Sequence, residues 1–212
     1  MHITWLGQSC FKIDIKHGND EVTVITYPFD SRITGLKLPR TLTADIVLQS
    51  GGKLAHPVET KEGQPPRIVE GPGEYEIKGI FIYAIPIARL DGSAAHLFWM
   101  EAEHIILVHP GALDHVPSET ELQKIEGLDV LFAPVGGDGV LDGKKAAELA
   151  FELEPRIVIP MQYKIPGLLL KIDGIEPFLK AVGAKSETIP KFKLTRKDLP
   201  ADEMKVVVLE KV

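Results

Sequence analysis

Side chains that could bind a metal ion occur in two short stretches of the sequence. His56 follows a strand-like run, and His109, Asp114 and His115 lie together in the segment LVHPGALDH. Imidazole nitrogens and a carboxylate suit one zinc or manganese ion, and such an ion activates bound water for hydrolysis. We therefore expect these four residues to bind at most one ion if the protein is a metalloenzyme. The interpretation we favour is that they are ordinary polar residues of loops.

Composition excludes several functional classes. The chain has 212 residues, with 24 Lys and Arg against 30 Asp and Glu, so its formal net charge is −6. This acidity argues against the strongly basic face that binds nucleic acid. Cys10 is the only cysteine, which excludes an intramolecular disulfide and a Cys-rich zinc site. Because we find neither a signal-peptide pattern nor an apolar stretch long enough to cross a bilayer, we expect a cytoplasmic protein without membrane contact.

The first half of the chain has the pattern of β-strands. Phe11, Ile13 and Ile15 alternate with polar residues, which is typical of a half-buried strand. The pattern predicts strands at 3–6, 11–15, 22–26, 45–48, 67–69, 75–77, 80–85, 96–100 and 105–108. The polar segment 51–66 is rich in Gly and Pro, and it predicts a long loop or a weak helix.

The second half alternates between helices and strands. Ser118 with Glu121 three residues later forms a capping-box pattern, which predicts a helix over 118–125. Apolar periodicity predicts further helices over 142–153 and 173–182, the last ended by Gly183. Strands are predicted at 129–132, 156–159 and 204–209, and the alternating run 191–197 predicts an exposed or edge strand. Sheets covered by helices follow from this order of elements.

Several segments, in this order along the chain, resemble one known family. They are ITWLGQSCFKI, YPFD at 27–30, TADIVLQS at 43–50, GPGEYEIKGI at 71–80, LDVLFAPVGG at 128–137 and EPRIVIPMQYK at 154–164. The chain is similar to the metallo-β-lactamase superfamily, in the branch of small Zn-dependent hydrolases related to ascorbate-6-phosphate lactonase. The resemblance implies an α/β fold, the αββα four-layer sandwich of two mixed sheets flanked by helices. It implies one domain over residues 1–212.

The resemblance also implies a metal site, and this sequence departs from it. The family motif H-x-H-x-D-H follows the strand that here ends near Ser50. The chain has Gly51, Lys53 and Ala55 at the first His, second His and Asp positions, and only His56 matches. Gly and Ala supply no ligand atom, and the ammonium group of Lys53 repels a divalent cation.

Two later ligand positions differ as well. By the same resemblance, Ala112 occupies the position of the bridging Asp, although Asp114 lies two residues further on. Gln162 replaces the last His, and an amide oxygen is a poorer zinc donor than imidazole. We therefore interpret the inherited metal site as degenerate and expect no cofactor.

The same family geometry indicates an anion site in place of the metal. Lys53 would face an anionic ligand, with Arg89, Gln162 and Lys164 nearby, and such groups bind phosphate or carboxylate. For Lys53, a solvated loop lysine is an equally good interpretation.

Three functions remain open, and one of them is a structural subunit whose only function is its own oligomer. The first is a non-catalytic protein that binds a small anionic ligand or interacts with a partner, either a second copy or an active paralogue. The second is a metal-dependent hydrolase of a phosphorylated sugar, lactone or phosphodiester, with zinc or manganese at a rebuilt mononuclear site. Fold alone does not decide between them.

Overall fold

Two β-sheets pack against each other in a computed structural model that describes residues 1–183 and 186–212. The strands are β1 (His2–Gly7), β2 (Cys10–His17), β3 (Asp20–Thr26), β4 (Leu42–Thr43), β5 (Ile46–Leu48), β6 (Val58–Glu59), β7 (Arg67–Val69), β8 (Gly73–Ile77), β9 (Ile80–Ala88), β10 (Ala94–Ala102), β11 (Ile105–His109), β12 (Val130–Pro134), β13 (Ile157–Met161), β14 (Ser186–Ile189), β15 (Phe192–Lys193) and β16 (Lys205–Leu209). The α-helices are α1 (Ser31–Thr34), α2 (Glu119–Leu122), α3 (Gly143–Leu153) and α4 (Glu176–Val182).

Within the described ranges, one sheet has the order β15-β1-β2-β3-β5-β7 and the other the order β14-β16-β13-β12-β11-β10-β9-β8. In the second sheet, β8 to β11 pair antiparallel, whereas β11, β12, β13, β16 and β14 pair parallel. In the first sheet, β3 pairs parallel with β5. Because parallel strands end at the same edge, the loops that leave β3 and β5 lie side by side, as do those that leave β12 and β13.

One hydrophobic core fills the space between the sheets. Ile3, Phe11 and Val24 of the first sheet and Phe98 and Phe132 of the second belong to the same buried cluster. In the first sheet, strand periodicity turns Cys10 and Ile25, the neighbours of Phe11 and Val24, to the opposite face. A second buried cluster joins that outer face to the segment that contains β4 and β6: Leu6, Cys10, Ile25, Leu42, Ala44, Val47 and Val58. Mixed sheets with few helices confirm the predicted α/β sandwich class.

The helices lie close to their predicted positions, with one shortened. The Asp142 carboxylate caps α3 by accepting hydrogen bonds from the first backbone N–H groups, and Ala146 and Leu149 of this helix are buried. Glu121 accepts a hydrogen bond from the backbone N–H of Ser118, as the capping box requires, and a second one from the Ser118 hydroxyl. A 3₁₀ turn over Gln123–Ile125 continues α2.

The predicted start of the last helix at residue 173 is wrong. Helix α4 begins only at Glu176, because the backbone of Asp173 is hydrogen-bonded to the carbonyl of Gly136 and to the N–H of Lys164. The predicted end is confirmed, since Gly183 takes the left-handed conformation with φ of 62°.

Other differences concern short strands. Segment 51–66 is a loop that contains β6, and only Phe192–Lys193 of the run 191–197 forms the predicted edge strand. Strand β14 was not predicted, because SETI carries little apolar character. No helix in the described ranges combines the length and the apolar character that crossing a membrane requires.

A close backbone contact joins the ends of β12 and β13. A Cβ atom at Gly136 would collide with the carbonyl oxygen of Gln162. We predict that Gly136→Ala lowers the free energy of unfolding by about 1–3 kcal/mol, because one of two backbones must move. Urea unfolding measures this. The matched control is Gly71→Ala, whose new Cβ would lie 3.8 Å from the Tyr75 hydroxyl and should leave stability unchanged. Equal stability of both variants would contradict the prediction.

Candidate functional site

The loops that leave β1, β3, β5 and β13 line one cavity of about 370 Å³. Its wall is formed by polar and apolar residues and by one charged residue, Lys53. The lining residues are Gln8, Ser9, Tyr27, Pro28, Phe29, Thr34, Gln49, Ser50, Gly51, Lys53, Ala55 and Gln162. Pockets of this volume, lined by a few polar groups, are typical small-molecule sites. The cavity therefore lies where the sequence places Gly51, Lys53, Ala55 and Gln162 at former ligand positions.

Three of these loops turn through the left-handed region of backbone space. Gln8, Tyr27 and Gln162 have φ values of 50°, 40° and 53°. This conformation is unfavourable for residues with a Cβ and tends to concentrate at functional sites. In each loop the turn brings the residue into the wall of the cavity.

Tyr27 is a fixed part of that wall. Its hydroxyl donates to the carbonyl oxygen of His96 at 2.8 Å and lies 2.8 Å from the hydroxyl of Ser50. The Ser50 hydroxyl in turn accepts from the backbone N–H of His96 at 2.9 Å. Burial raises the pKa of the Tyr27 hydroxyl, so the residue stays neutral. These bonds join the loops after β3 and β5 to β10 of the other sheet.

His109 lies behind the cavity with both ring nitrogens engaged. Nδ1 accepts from the backbone N–H of Gly111 at 3.1 Å, so the proton is on Nε2, which donates to the carbonyl oxygen of Ser9 at 3.0 Å. The ring packs against Tyr27 and Phe132, with centroid distances of 5.2 Å to each. Burial lowers the pKa of His109 to about 4, which makes it a neutral structural histidine in this arrangement.

Asp114, His115 and Arg89 form a cluster that does not line the cavity. Asp114 lies 2.9 Å from Nδ1 of His115 and 3.4 Å from Nε of Arg89, and it accepts from the N–H of Leu90. Arg89 also donates to the carbonyl of Gly139. Burial opposes ionisation of Asp114, but the hydrogen bonds from His115 and Leu90 outweigh it and lower the pKa of the carboxyl group.

The other predicted site residues, His56 and Lys164, do not line the cavity. Nε2 of His56 lies 2.7 Å from the carbonyl oxygen of Pro39 on the surface. Lys164 donates to the carbonyls of Leu168 and Leu170, and so it braces its own loop. Of the predicted ligand-binding residues, Lys53 and Gln162 line the cavity, whereas Arg89 and Lys164 do not.

Two glutamines of the wall each have one amide atom without a partner in the part of the chain that the structure describes. Nε2 of Gln8 and Oε1 of Gln162 are buried and make no hydrogen bond with any residue in the described ranges. Gln8 is 8% exposed. Sequence analysis missed Gln8, because a glutamine beside a glycine turn carries no motif; its place directly after the first strand was the one signal available.

Comparison with known proteins identifies the family. The family model described as "Beta-lactamase superfamily domain" matches residues 2–162. A Thermotoga maritima protein, named as a Zn-dependent hydrolase of the metallo-β-lactamase superfamily, has 31% sequence identity and a TM-score of 0.79, with 98% of this chain and 97% of that chain covered.

The chain belongs to the metallo-β-lactamase superfamily.

Two solved structures with lower sequence identity share the fold. The metallo hydrolase Igni18 of Ignicoccus hospitalis has 17% identity and a TM-score of 0.61, over 92% of this chain and 99% of that chain. The metallo-β-lactamase fold protein YhfI of Bacillus subtilis has 8% identity and a TM-score of 0.62, with 99% of this chain and 96% of that chain covered. These likenesses show a common fold over more than nine-tenths of this chain.

The residues present do not fit the superfamily's metal site. Gly51 and Ala55 contribute no ligand atoms to the cavity, and Lys53 contributes a cation. No three His, Cys, Asp or Glu side chains within 1–183 and 186–212 are grouped so that they could hold a metal ion. Of the four predicted ligands, the structure brings together only Asp114 and His115.

The neutral state of His109 predicts a pH dependence of stability. Its folded pKa, about 4, lies below the ordinary 6.5, so the unfolded chain takes up a proton first as the pH falls. The free energy of unfolding should therefore decrease between pH 6.5 and pH 4, by roughly 2–3 kcal/mol from this residue. Urea unfolding across this range measures the slope.

The variant His109→Gln should have a smaller slope than the wild type, whatever its absolute stability. Gln123→Ala, a substitution at an exposed position that does not titrate, is the control and should leave the slope unchanged. An unaltered slope in His109→Gln would show that His109 does not titrate in this way.

Proposed function

We propose that this protein is a metallo-β-lactamase-fold protein with a degenerate metal site, and that it binds a small anionic ligand without catalysing a reaction on it. The ligand lies in the cavity between the ends of β1, β3, β5 and β13. Lys53 supplies the charge that attracts it.

One observation carries this proposal. Of the residues that line the cavity, all within the described part of the chain, Lys53 alone is charged. The family resemblance aligns Lys53 with a metal-ligand position, and its side chain is exposed. No hydrogen bond or salt bridge joins that side chain to another residue in the described ranges. A lysine without a carboxylate partner at a polar cavity is suited to an anion, because charge-assisted hydrogen bonds are stronger than neutral ones.

Metal content separates this proposal from an enzyme with a rebuilt site. Tag-free protein is purified with zinc and manganese supplied, dialysed and assayed by elemental analysis. We expect less than about a tenth of an equivalent, since Gly51, Ala55 and Gln162 leave too few ligands for tight binding. One tightly held equivalent would overturn the proposal.

Anion binding tests the role of Lys53. We expect inorganic phosphate or a small carboxylate to raise the melting temperature, because a ligand that binds only the native state stabilises it. Lys53→Ala should abolish this shift. The control Lys180→Ala, at an exposed position on α4, should retain it. Equal shifts in all three proteins would remove Lys53 from the site.

A specific contact favours the second function, a metal-dependent hydrolase of a phosphorylated sugar, lactone or phosphodiester. Asp114 and His115 lie 2.9 Å apart after β11, and the Thermotoga maritima relative is named as a Zn-dependent hydrolase. Under this alternative, His56, His109, Asp114 and His115 would converge on one zinc or manganese ion.

The double variant His109→Ala with Asp114→Ala tests that alternative. If it holds, metal-dependent turnover of a phosphodiester or lactone is lost, because two ligands are removed. Asp114→Asn is the companion variant, since it leaves the buried His109 in place and should lower turnover without unfolding the chain. Turnover that persists in both variants excludes this site.

A further inference from the structure

Strand β8 ends the larger sheet with one open side. Apart from β9, no strand in the described ranges pairs with it. Of the four strands that end the two large sheets, β8 is the longest, with five residues. It contains no proline, and its register with β9 contains no bulge. Edge strands often carry such features because they block pairing with another chain.

The hairpin that joins β8 to β9 determines which backbone groups point to the open side. Residues 78–79 form its two-residue turn, both with positive φ, and Ile77 lies opposite Ile80. In such a turn the closing pair is hydrogen-bonded, and hydrogen-bonded pairs then alternate along the two strands. The N–H and C=O groups of Glu74 and Glu76 therefore point away from β9. No hydrogen bond in the part of the chain that the structure describes uses these four groups.

The side chains of β8 alternate between two surroundings. Tyr75 and Ile77 are half-buried and pack against the core, so Glu74 and Glu76 point to the opposite face of the sheet. Both glutamates are exposed, and neither carboxylate forms a salt bridge with a described residue. The open edge thus offers two carboxylates on one face and two apolar side chains on the other.

A groove of about 550 Å³ lies beside this edge, and its wall includes Arg67 and Ile68 of β7. Strand β7 ends the other large sheet, so residues from two sheet edges line the groove. Val69 belongs to the core cluster, and Arg67, two residues earlier, lies on the same face of the strand. The face that looks towards the core therefore contains a cation, and basic residues of a partner fit only on the face of Glu74 and Glu76.

A second copy of the chain is a poor partner for this edge. Two β8 strands paired antiparallel about Tyr75 would place Glu74 of each copy opposite Glu76 of the other. Like charges directly opposite each other destabilise a strand pair, whereas opposite charges stabilise it. The carboxylates therefore select an occupant with cationic side chains.

We propose that β8 binds an extended segment of a partner protein, which adds to the sheet as a further antiparallel strand. In that segment Lys or Arg lies opposite Glu74 and Glu76, and the apolar residues that alternate with them cover Tyr75 and Ile77. Backbone hydrogen bonds supply the affinity in this mode of recognition, and alternate side chains supply the specificity. The inference is independent of the anion cavity, because β8 contributes no residue to the wall of that cavity.

Fluorescence anisotropy of dye-labelled peptides tests the proposal on the full chain. The probe is acetyl-Val-Lys-Val-Lys-Val, and its counterpart has Glu in place of Lys. We expect the Lys peptide to bind at least about tenfold more tightly, because its charges lie opposite carboxylates. A higher salt concentration should reduce the difference, since exposed ion pairs are screened. Equal binding of the two peptides would overturn the inference.

Charge reversal on β8 locates the site. Glu74→Lys combined with Glu76→Lys should reverse the preference, so that the Glu peptide binds more tightly than the Lys peptide. The control is Glu148→Lys combined with Glu152→Lys, at two exposed positions on α3. It changes the net charge by the same amount and should keep the wild-type preference. A preference that the β8 variant does not reverse would place the peptide elsewhere and contradict the proposal.

Methylation of peptide nitrogens separates strand addition from attraction between charges alone. In the antiparallel pair, the Lys N–H groups donate to the carbonyls of Glu74 and Glu76, whereas the Val N–H groups point away. We expect N-methyl groups on both Lys residues to abolish binding, and N-methyl groups on the last two Val residues to be tolerated. Equal binding of the two methylated peptides would show that no strand is added.

Two further outcomes concern the occupant and the anion cavity. Self-association of the wild-type chain that the Lys peptide reverses would show that a second copy occupies β8, which would overturn the inference. Lys53→Ala should bind the Lys peptide as the wild type does, so a failure of the anion site leaves this inference intact. Loss of peptide binding in Lys53→Ala would contradict a separate site at β8.

Discussion

Buried aromatic and imidazole rings connect the two sheets. Phe11 of β2 and Phe132 of β12 lie 4.6 Å apart between ring centroids, and the ring of His109 packs against both. The hydrogen bond from His109 to the carbonyl of Ser9 then crosses from one sheet to the turn of the other. Because these contacts fix the strand ends, they also fix the loops that line the cavity.

This arrangement explains how the fold can accommodate different residues in the loops around the cavity. Gly51, Lys53 and Ala55 lie on a loop beyond β5, outside the core that holds the sheets together. His109 belongs to that core as a neutral hydrogen-bonding group, and burial keeps it neutral. The residues of such loops can change, and with them the chemistry of the site, while the sheets that position the loops stay the same. For this reason the fold alone does not determine the function.

The strands and the longest helix could be predicted from the sequence because their signals are local. Alternation in β2 and the cap at Asp142 act within a few residues. The start of α4 could not be predicted, because the bonds between Asp173 and residues 136 and 164 come from distant segments. The cavity could not be predicted from local patterns either, because its wall comes from loops that are distant in the sequence. Lys53 and Gln162 were inferred from the family resemblance, whereas no local pattern reveals that Gln8 is buried.

Unfavourable backbone geometry in the cavity wall falls on three residues. Gln8, Tyr27 and Gln162 all have a left-handed backbone, which destabilises the folded state for a residue with a Cβ. The hydroxyl of Tyr27 bonds to His96 and Ser50, and these contacts offset part of that cost. Gln8 and Gln162 each add a buried amide atom without a partner in the described ranges, which is a second unfavourable feature. Glycine would relieve the backbone and an apolar side chain would remove the unpaired atom, so stability alone does not explain why glutamine occupies both positions.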